Sequence, residues 1–147
     1  MSRQPIQVLV IPFRRTDKTY EFGIFKRSDA NYWQFIAGGV EGSESVEKAA
    51  SREAFEEAGI SLNSELITLD SRCCVPGDIF KEWKSWPAGT YIVHEFAFAI
   101  EVLSKELNLS DEHLEFKWCN YDESQNLLKW DSNKTALWEL SQRLKKV

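Results

Sequence analysis

The sequence predicts an α+β fold in which a mixed β-sheet is sandwiched between α-helices, an α/β/α arrangement. Three observations predict it. Short apolar runs of strand length recur along the 147 residues. Residues 45–58 switch to a helix-forming composition free of Gly and Pro. Residues 132–144 place Ala136, Leu137, Leu140 and Leu144 at helical spacing. The resulting order is β-β-β-α-β-β-β-α.

Taken in order, residues 7–11 are an apolar run that predicts a buried strand stopping near Pro12. Residues 20–27 alternate, with Tyr20, Phe22 and Ile24 on one side, as its hairpin partner. Residues 32–37 form a third short strand ending at Gly38 and Gly39. The period then changes. Ser45 suits the N-cap of a helix, Glu47 its positive end and Gly59 the C′ position. Residues 65–75 form another strand, and residues 76–89, with Pro76, Gly77, Pro87 and Gly89, a long loop. Residues 90–102 alternate most clearly, with Ile92, His94, Phe96, Phe98 and Ile100 facing one way. Residues 114–119 are a further strand, and residues 132–144 a terminal amphipathic helix. No repeat, low-complexity tract or linker divides the chain, so one domain over residues 1–147 is expected.

Composition excludes several classes of function. A net charge of −5 argues against a broad electrostatic grip on duplex nucleic acid. It is compatible with a small phosphorylated ligand, because a metal ion can reverse the local charge. No run of 18 apolar residues is present to span a membrane, and the start of the chain reads as a strand rather than a signal peptide. Three cysteines, two of them the adjacent Cys73 and Cys74, show neither disulfide nor metal spacing and suit buried thiols in a reducing cytoplasm.

The chemistry is concentrated in GGVEGSESVEKAASREAFEEAGI, from Gly38 to Ile60. Glu53, Glu56 and Glu57 lie at i, i+3 and i+4 of the predicted helix, which brings their Cβ atoms to roughly 5–6 Å of one another on one strip. Like charges at that spacing destabilise a helix, and a divalent cation turns the repulsion into ligation. Mg²⁺ takes oxygen ligands, often one or two carboxylates, and completes its shell with water and substrate phosphate. Gly38 and Gly39 tolerate unusual backbone angles and allow a loop to approach phosphate closely. Taken alone, the acidic strip is better read as a solvated helix face; the spacing as a whole changes that reading.

The spacing as a whole resembles the Nudix box. Gly38 is followed after five residues by Glu44, and after seven more by Arg52-Glu53; Ala54, Glu56-Glu57, Gly59 and Ile60 complete the pattern. The resemblance to Nudix hydrolases implies the Nudix fold and Mg²⁺-dependent attack of water on a phosphoanhydride, with Mn²⁺ an alternative cation. It implies that Glu53, Glu56 and Glu57 are metal ligands, that Arg52 orients the carboxylates, and that Glu44 is structural or a distant ligand. It also implies a small nucleotide-like substrate, a cytoplasmic location and a homodimer.

The flanking segments resemble one bacterial group of the family, the dihydroneopterin triphosphate pyrophosphatases, also described as dATP pyrophosphohydrolases. These segments are Lys26-Arg27, Tyr32-Trp33-Gln34, Asp111-Glu112-His113-Leu114 and Lys129-Trp130-Asp131-Ser132. That resemblance implies release of pyrophosphate from a triphosphate, which for the pterin is a step of folate synthesis. On this pattern Glu112 is either a ligand of a second metal, a base or a surface acid. Trp33 either stacks on a ring or is a core aromatic, and Arg27 either reaches a phosphate or ends a strand in solvent. The box itself does not exclude ADP-ribose, a dinucleoside polyphosphate, or a non-catalytic nucleotide-binding role.

Overall fold

The computed structural model describes residues 2–103 and 113–145. Among these, seven strands form one sheet: β1 (Arg3–Arg15), β2 (Tyr20–Arg27), β3 (Trp33–Gln34), β4 (Ile36–Glu41), β5 (Leu66–Pro76), β6 (Ile92–Glu101) and β7 (His113–Cys119). Three α-helices accompany them: α1 (Val46–Ala58), α2 (Tyr121–Leu127) and α3 (Asp131–Lys145). The strand order is β3-β2-β1-β6-β5, with β4 also on β1 and β7 also on β2. β1 and β6 run parallel, and the other pairs are antiparallel. The sheet is therefore mixed.

Alternation along β1 sends its side chains into two cores. Val8 and Val10 meet Ala49, Ala50, Ala54 and Ala58 of α1, whose small side chains let the helix lie close to the sheet. Leu9, Ile11 and Phe13 face the opposite way and meet Leu137 and Leu140 of α3. Each large side chain so buried contributes roughly 1.5–3 kcal/mol. The α/β/α layering follows from this two-sided burial.

Helix α1 begins and ends as its residues predict. The Ser45 hydroxyl accepts the Lys48 N–H at 3.1 Å, and Gly59 adopts φ 70° so that its N–H and that of Ile60 close the last turn.

Three expectations need correction. β1 does not stop at Pro12. Pro12 sits between Val10, the last partner of β4, and Phe13, the first partner of β2, where its missing N–H is not required. Gly38 and Gly39 do not end a strand but run inside β4, paired with Val8 and Gln7. They do not use left-handed angles either: among the described residues, positive φ occurs at Gly42, Gly59 and Gly89. The alternation of β6 holds: Phe96, Phe98 and Ile100 join one core and Ala97 and Ala99 the other, because the strand lies between two helical layers, and Ile92 and His94 are exposed. Finally, residues 121–127 form a helix the apolar pattern missed. Its signal is the capping box of Asn120 and Glu123, each side chain bonding the other's backbone N–H.

Residues 76–89 are not an open loop. They hold two short 3₁₀ turns, Gly77–Ile79 and Lys81–Ser85. Indole N–H groups tie them down: Trp83 donates to the Thr90 carbonyl and Trp86 to the Arg3 carbonyl, each at 2.7 Å. Among the described residues no helix is long and apolar enough to cross a membrane.

Candidate functional site

Arg52, two turns into α1, organises the acidic cluster. Its guanidinium donates to Glu44 at 2.7 Å, Glu53 at 2.8 Å, Glu56 at 3.2 Å and the Gly39 carbonyl at 2.8 Å, and lies 3.7 Å from Glu41. The planar fork thus bridges helix, strand β4 and the turn between them. Glu44 also accepts the Glu41 N–H at 2.8 Å. Its hydrogen bond to Arg52 holds the Glu44 carboxyl below the usual range, and the same contact makes Arg52 a weaker acid than a free guanidinium. Burial, and then the neighbouring charge of Glu57, push the Glu53 carboxyl up to about 7 against the pull of Arg52. Glu57 is buried at 4% exposure, whereas the Glu56 side chain is half exposed.

The absence of side chains at two glycines shapes the site. A Cβ on Gly38 would overlap the Glu53 carboxylate, and one on Gly39 would overlap the side chain of Arg3. Both glycines serve by close approach, with strand β4 lying directly beneath the charged groups.

A cleft of about 740 Å³ opens beside this cluster, and Gly38 lies on its boundary. Its floor is sheet: Arg3, Gln7 and Leu9 of β1, Glu95 of β6, and Cys73 and Val75 of β5. One aromatic wall is Tyr32 and Trp130, packed edge to face at 5.3 Å. Ile79 and Phe80, from the 3₁₀ segment, also line it. Phe80 carries the Arg3 guanidinium 4.6 Å above its ring. The Nε of Arg3 is buried and meets no hydrogen-bond acceptor among the described residues.

The NUDIX domain model matches residues 3–138. The chain belongs to the Nudix family. That family is one of pyrophosphohydrolases, and the chain is an enzyme of that class. The dihydroneopterin triphosphate diphosphatase of Escherichia coli K12 is 28% identical over 92% of this chain and 91% of its own length. A solved structure from Listeria monocytogenes, described as a NUDIX hydrolase, is 43% identical and covers 97% of this chain and 96% of its own, with a TM-score of 0.87. The structure of the E. coli dihydroneopterin triphosphate pyrophosphohydrolase superposes with a TM-score of 0.78 at 24% identity, covering 96% of this chain and 97% of its own.

Against this Nudix frame, the structure brings Arg52, Glu53, Glu56 and Gly39 into one network, with Glu57 close enough to act on Glu53. Gly38 joins them to the cleft. Arg27 lines the cleft and is ion-paired there with Asp29 at 2.9 Å. Trp33 is elsewhere. Its ring packs against the core beneath the Lys117 ammonium, 5.3 Å away, because β3 turns it from the cleft, and Tyr32 and Trp130 line the cleft instead. Glu112 lies outside the described residues.

Arg3, Gln7 and Glu95 were not among the predicted site residues. Their signal is modest but real: Glu95 is a charged residue in the strand IVHEFAFAIE, on the same side as Val93, Ala97 and Ala99, all of them buried.

Proposed function

We propose that the protein is a Mg²⁺-dependent hydrolase of a triphosphate carried on a heteroaromatic group. It cleaves between the α and β phosphates to release pyrophosphate and a monophosphate. The observation that carries this reading is the Glu53 carboxylate seated over Gly38, on the boundary between the acidic network and the cleft. Chemistry at a phosphate there leaves the cleft free for the rest of the substrate. Dihydroneopterin triphosphate heads the candidates, supported by the E. coli relative at 28% identity over 92% of the chain. With that substrate the step belongs to folate synthesis. dATP and other nucleoside triphosphates follow.

The residues present fit the cation. Four carboxylates crowd one guanidinium, and Glu53 is held up to about 7 by burial and by Glu57, a deficit of positive charge that a divalent ion would relieve. Among the described residues no three acidic, His or Cys side chains are already gathered closely enough to hold a metal ion. Mg²⁺ takes oxygen ligands and completes its shell with water and phosphate. Glu53, Glu56 and Glu57 would hold it. When bound, Mg²⁺ polarises phosphate oxygens and eases ionisation of the attacking water.

The chain's own groups do the positioning. Arg52 holds Glu53 and Glu56 in place through one guanidinium nitrogen, Nη1, which donates to both. Arg3 and Arg27, both in the cleft, offer cationic donors to the phosphate chain. Tyr32 and Trp130 present flat apolar surface to the ring.

The test is pyrophosphate and orthophosphate release with Mg²⁺ from dihydroneopterin triphosphate, dATP, the other NTPs, ADP-ribose and diadenosine polyphosphates. Glu57→Gln serves as the control. The expected result is pyrophosphate release from the pterin or a nucleoside triphosphate, reduced at least about 100-fold in the variant, in line with the several kcal/mol such sites supply. Turnover of ADP-ribose or the dinucleotides alone, or none at all, would overturn the proposal.

A further inference from the structure

A buried carboxyl that is not part of the acidic box lies in the cleft floor. Glu95 is 6% exposed and sits in register beside Gln7 on the neighbouring strand. An apolar residue would pack at that position without the cost of desolvating an acid. A chain of donors defines how the acid is used. Arg3 Nη2 donates to Gln7 Oε1 at 2.8 Å. Arginine offers only donors, so this contact orients the Gln7 amide with its oxygen toward Arg3 and its NH₂ toward Glu95. Gln7 Nε2 then donates to Glu95 Oε2 at 2.6 Å. The Ser132 hydroxyl is a second partner of the same carboxyl. Asn133 Nδ2 donates to Ser132 Oγ at 3.3 Å, which leaves the hydroxyl hydrogen for an acceptor.

Glu95 is therefore presented as an acceptor, with protein donors on it from β1 and from the start of α3. A carboxylate has about four lone-pair positions, so two protein donors leave capacity for a ligand. The surrounding surface is flat and aromatic: Tyr32, Trp130 and Phe80 line the same cleft. A ring held there would turn its edge to Glu95 and its faces to the aromatic side chains.

We infer that Glu95 selects the ring of the substrate by accepting hydrogen bonds from the adjacent ring N–H and amino group of a 2-amino-4-oxo pyrimidine edge, the edge that guanine and pterin rings share. The inference rests on the proposed function and names the ring that accompanies the triphosphate. Such an edge offers two neighbouring donors to one carboxylate. Adenine offers one donor and one lone pair on the corresponding edge, and the lone pair faces an acceptor that cannot answer it.

Binding of monophosphates tests this without turnover. The full chain is titrated calorimetrically with dGMP, dIMP and dAMP, and the series is repeated with Glu95→Gln. The wild type is expected to bind dGMP about tenfold or more tighter than dAMP, the scale of one bidentate pair. dIMP, which keeps the ring N–H and lacks the amino group, falls between. In Glu95→Gln the preference for dGMP collapses to under about threefold while dAMP affinity stays within about twofold. Absence of a preference in the wild type, its survival in the variant, equal weakening of all three ligands, or no binding of any would overturn the inference. The dGMP-to-dIMP ratio needs no variant, so it decides the matter even if Glu95→Gln does not fold. The phosphate-release panel fails separately: no hydrolysis with the ring preference intact would sink the proposed reaction, and hydrolysis without ring preference would sink the role of Glu95 alone.

Discussion

The acidic box and the floor of the cleft beside it hold their carboxylates by different means. In the box, Glu41, Glu44, Glu53 and Glu56 gather within 4 Å of a single guanidinium, so negative charge exceeds positive. In the cleft floor, one buried carboxyl is met by an amide and a hydroxyl, neutral donors that leave its charge uncompensated but its geometry defined. The first arrangement is suited to taking up a cation from outside. The second is suited to reading the hydrogen-bond pattern of a ring. One cleft can thus separate chemistry from recognition, because charge surplus and donor alignment are built by different residues.

The comparison breaks most severely at Arg52. Arg52→Ala leaves the clustered carboxylates without their shared cation. Removing one partner of a buried ion pair costs about 3–5 kcal/mol, and Arg52 is 22% exposed, so roughly 2–4 kcal/mol is expected here. Urea denaturation would measure it, and a loss under about 1 kcal/mol would show that the network is not held by Arg52.

Gly38→Ala should separate geometry from stability. The added Cβ overlaps the end of a flexible side chain, the Glu53 carboxylate, which can swing aside. The stability cost is expected to stay under about 1 kcal/mol. Turnover should nevertheless fall roughly 10–100-fold, since displacing a reacting group by an ångström has that scale of effect. Retained kcat in a well-folded variant would remove Glu53 from the chemistry.

The smallest effect, a few degrees in Tm, sharpens the contrast through pH. The Arg52 hydrogen bond lowers the folded pKa of Glu44, so its stabilisation is present above the unfolded value near 4.3 and is lost as pH falls through the folded one. Burial raises the folded pKa of Glu95, opposed by Gln7 and Ser132, so its contribution is full below the unfolded value and is lost as pH rises through the folded one. Melting curves from pH 2 to 8 should therefore show the gap between wild type and Glu44→Gln shrinking as pH falls below about 4.3, and the gap to Glu95→Gln moving in favour of the wild type as pH falls. Slopes of the same sign would contradict the two environments described.

Much of the box was legible from residue order alone because it is one continuous segment. Helical periodicity puts Glu53, Glu56 and Glu57 on one strip, and Ser45 and Gly59 mark the ends of their helix by local hydrogen-bond and backbone requirements. The same local rules explain the alternation of β1 and the apolar face of α3. What the glycines were for was misread: their spacing was visible, but not that Glu53 and Arg3 would lie over them.

The cleft is different, because its residues come from β1, β6, the approach to β3, the 3₁₀ segment and the start of α3. Nothing local relates Gln7 to Glu95, 88 positions apart, or Trp130 to Gln34, 96 apart. Their meeting depends on the parallel pairing of β1 with β6 and on α3 docking through Asn133, whose Oδ1 accepts the Phe35 N–H at 2.8 Å. The sequence by itself determined the acidic helix, its caps and the layered arrangement of strands and helices, because those follow from interactions between near neighbours. Only the tertiary structure decided that Tyr32 rather than Trp33 faces the cleft and that a buried acid forms its floor, because strand register and helix docking determine which distant side chains share one cavity.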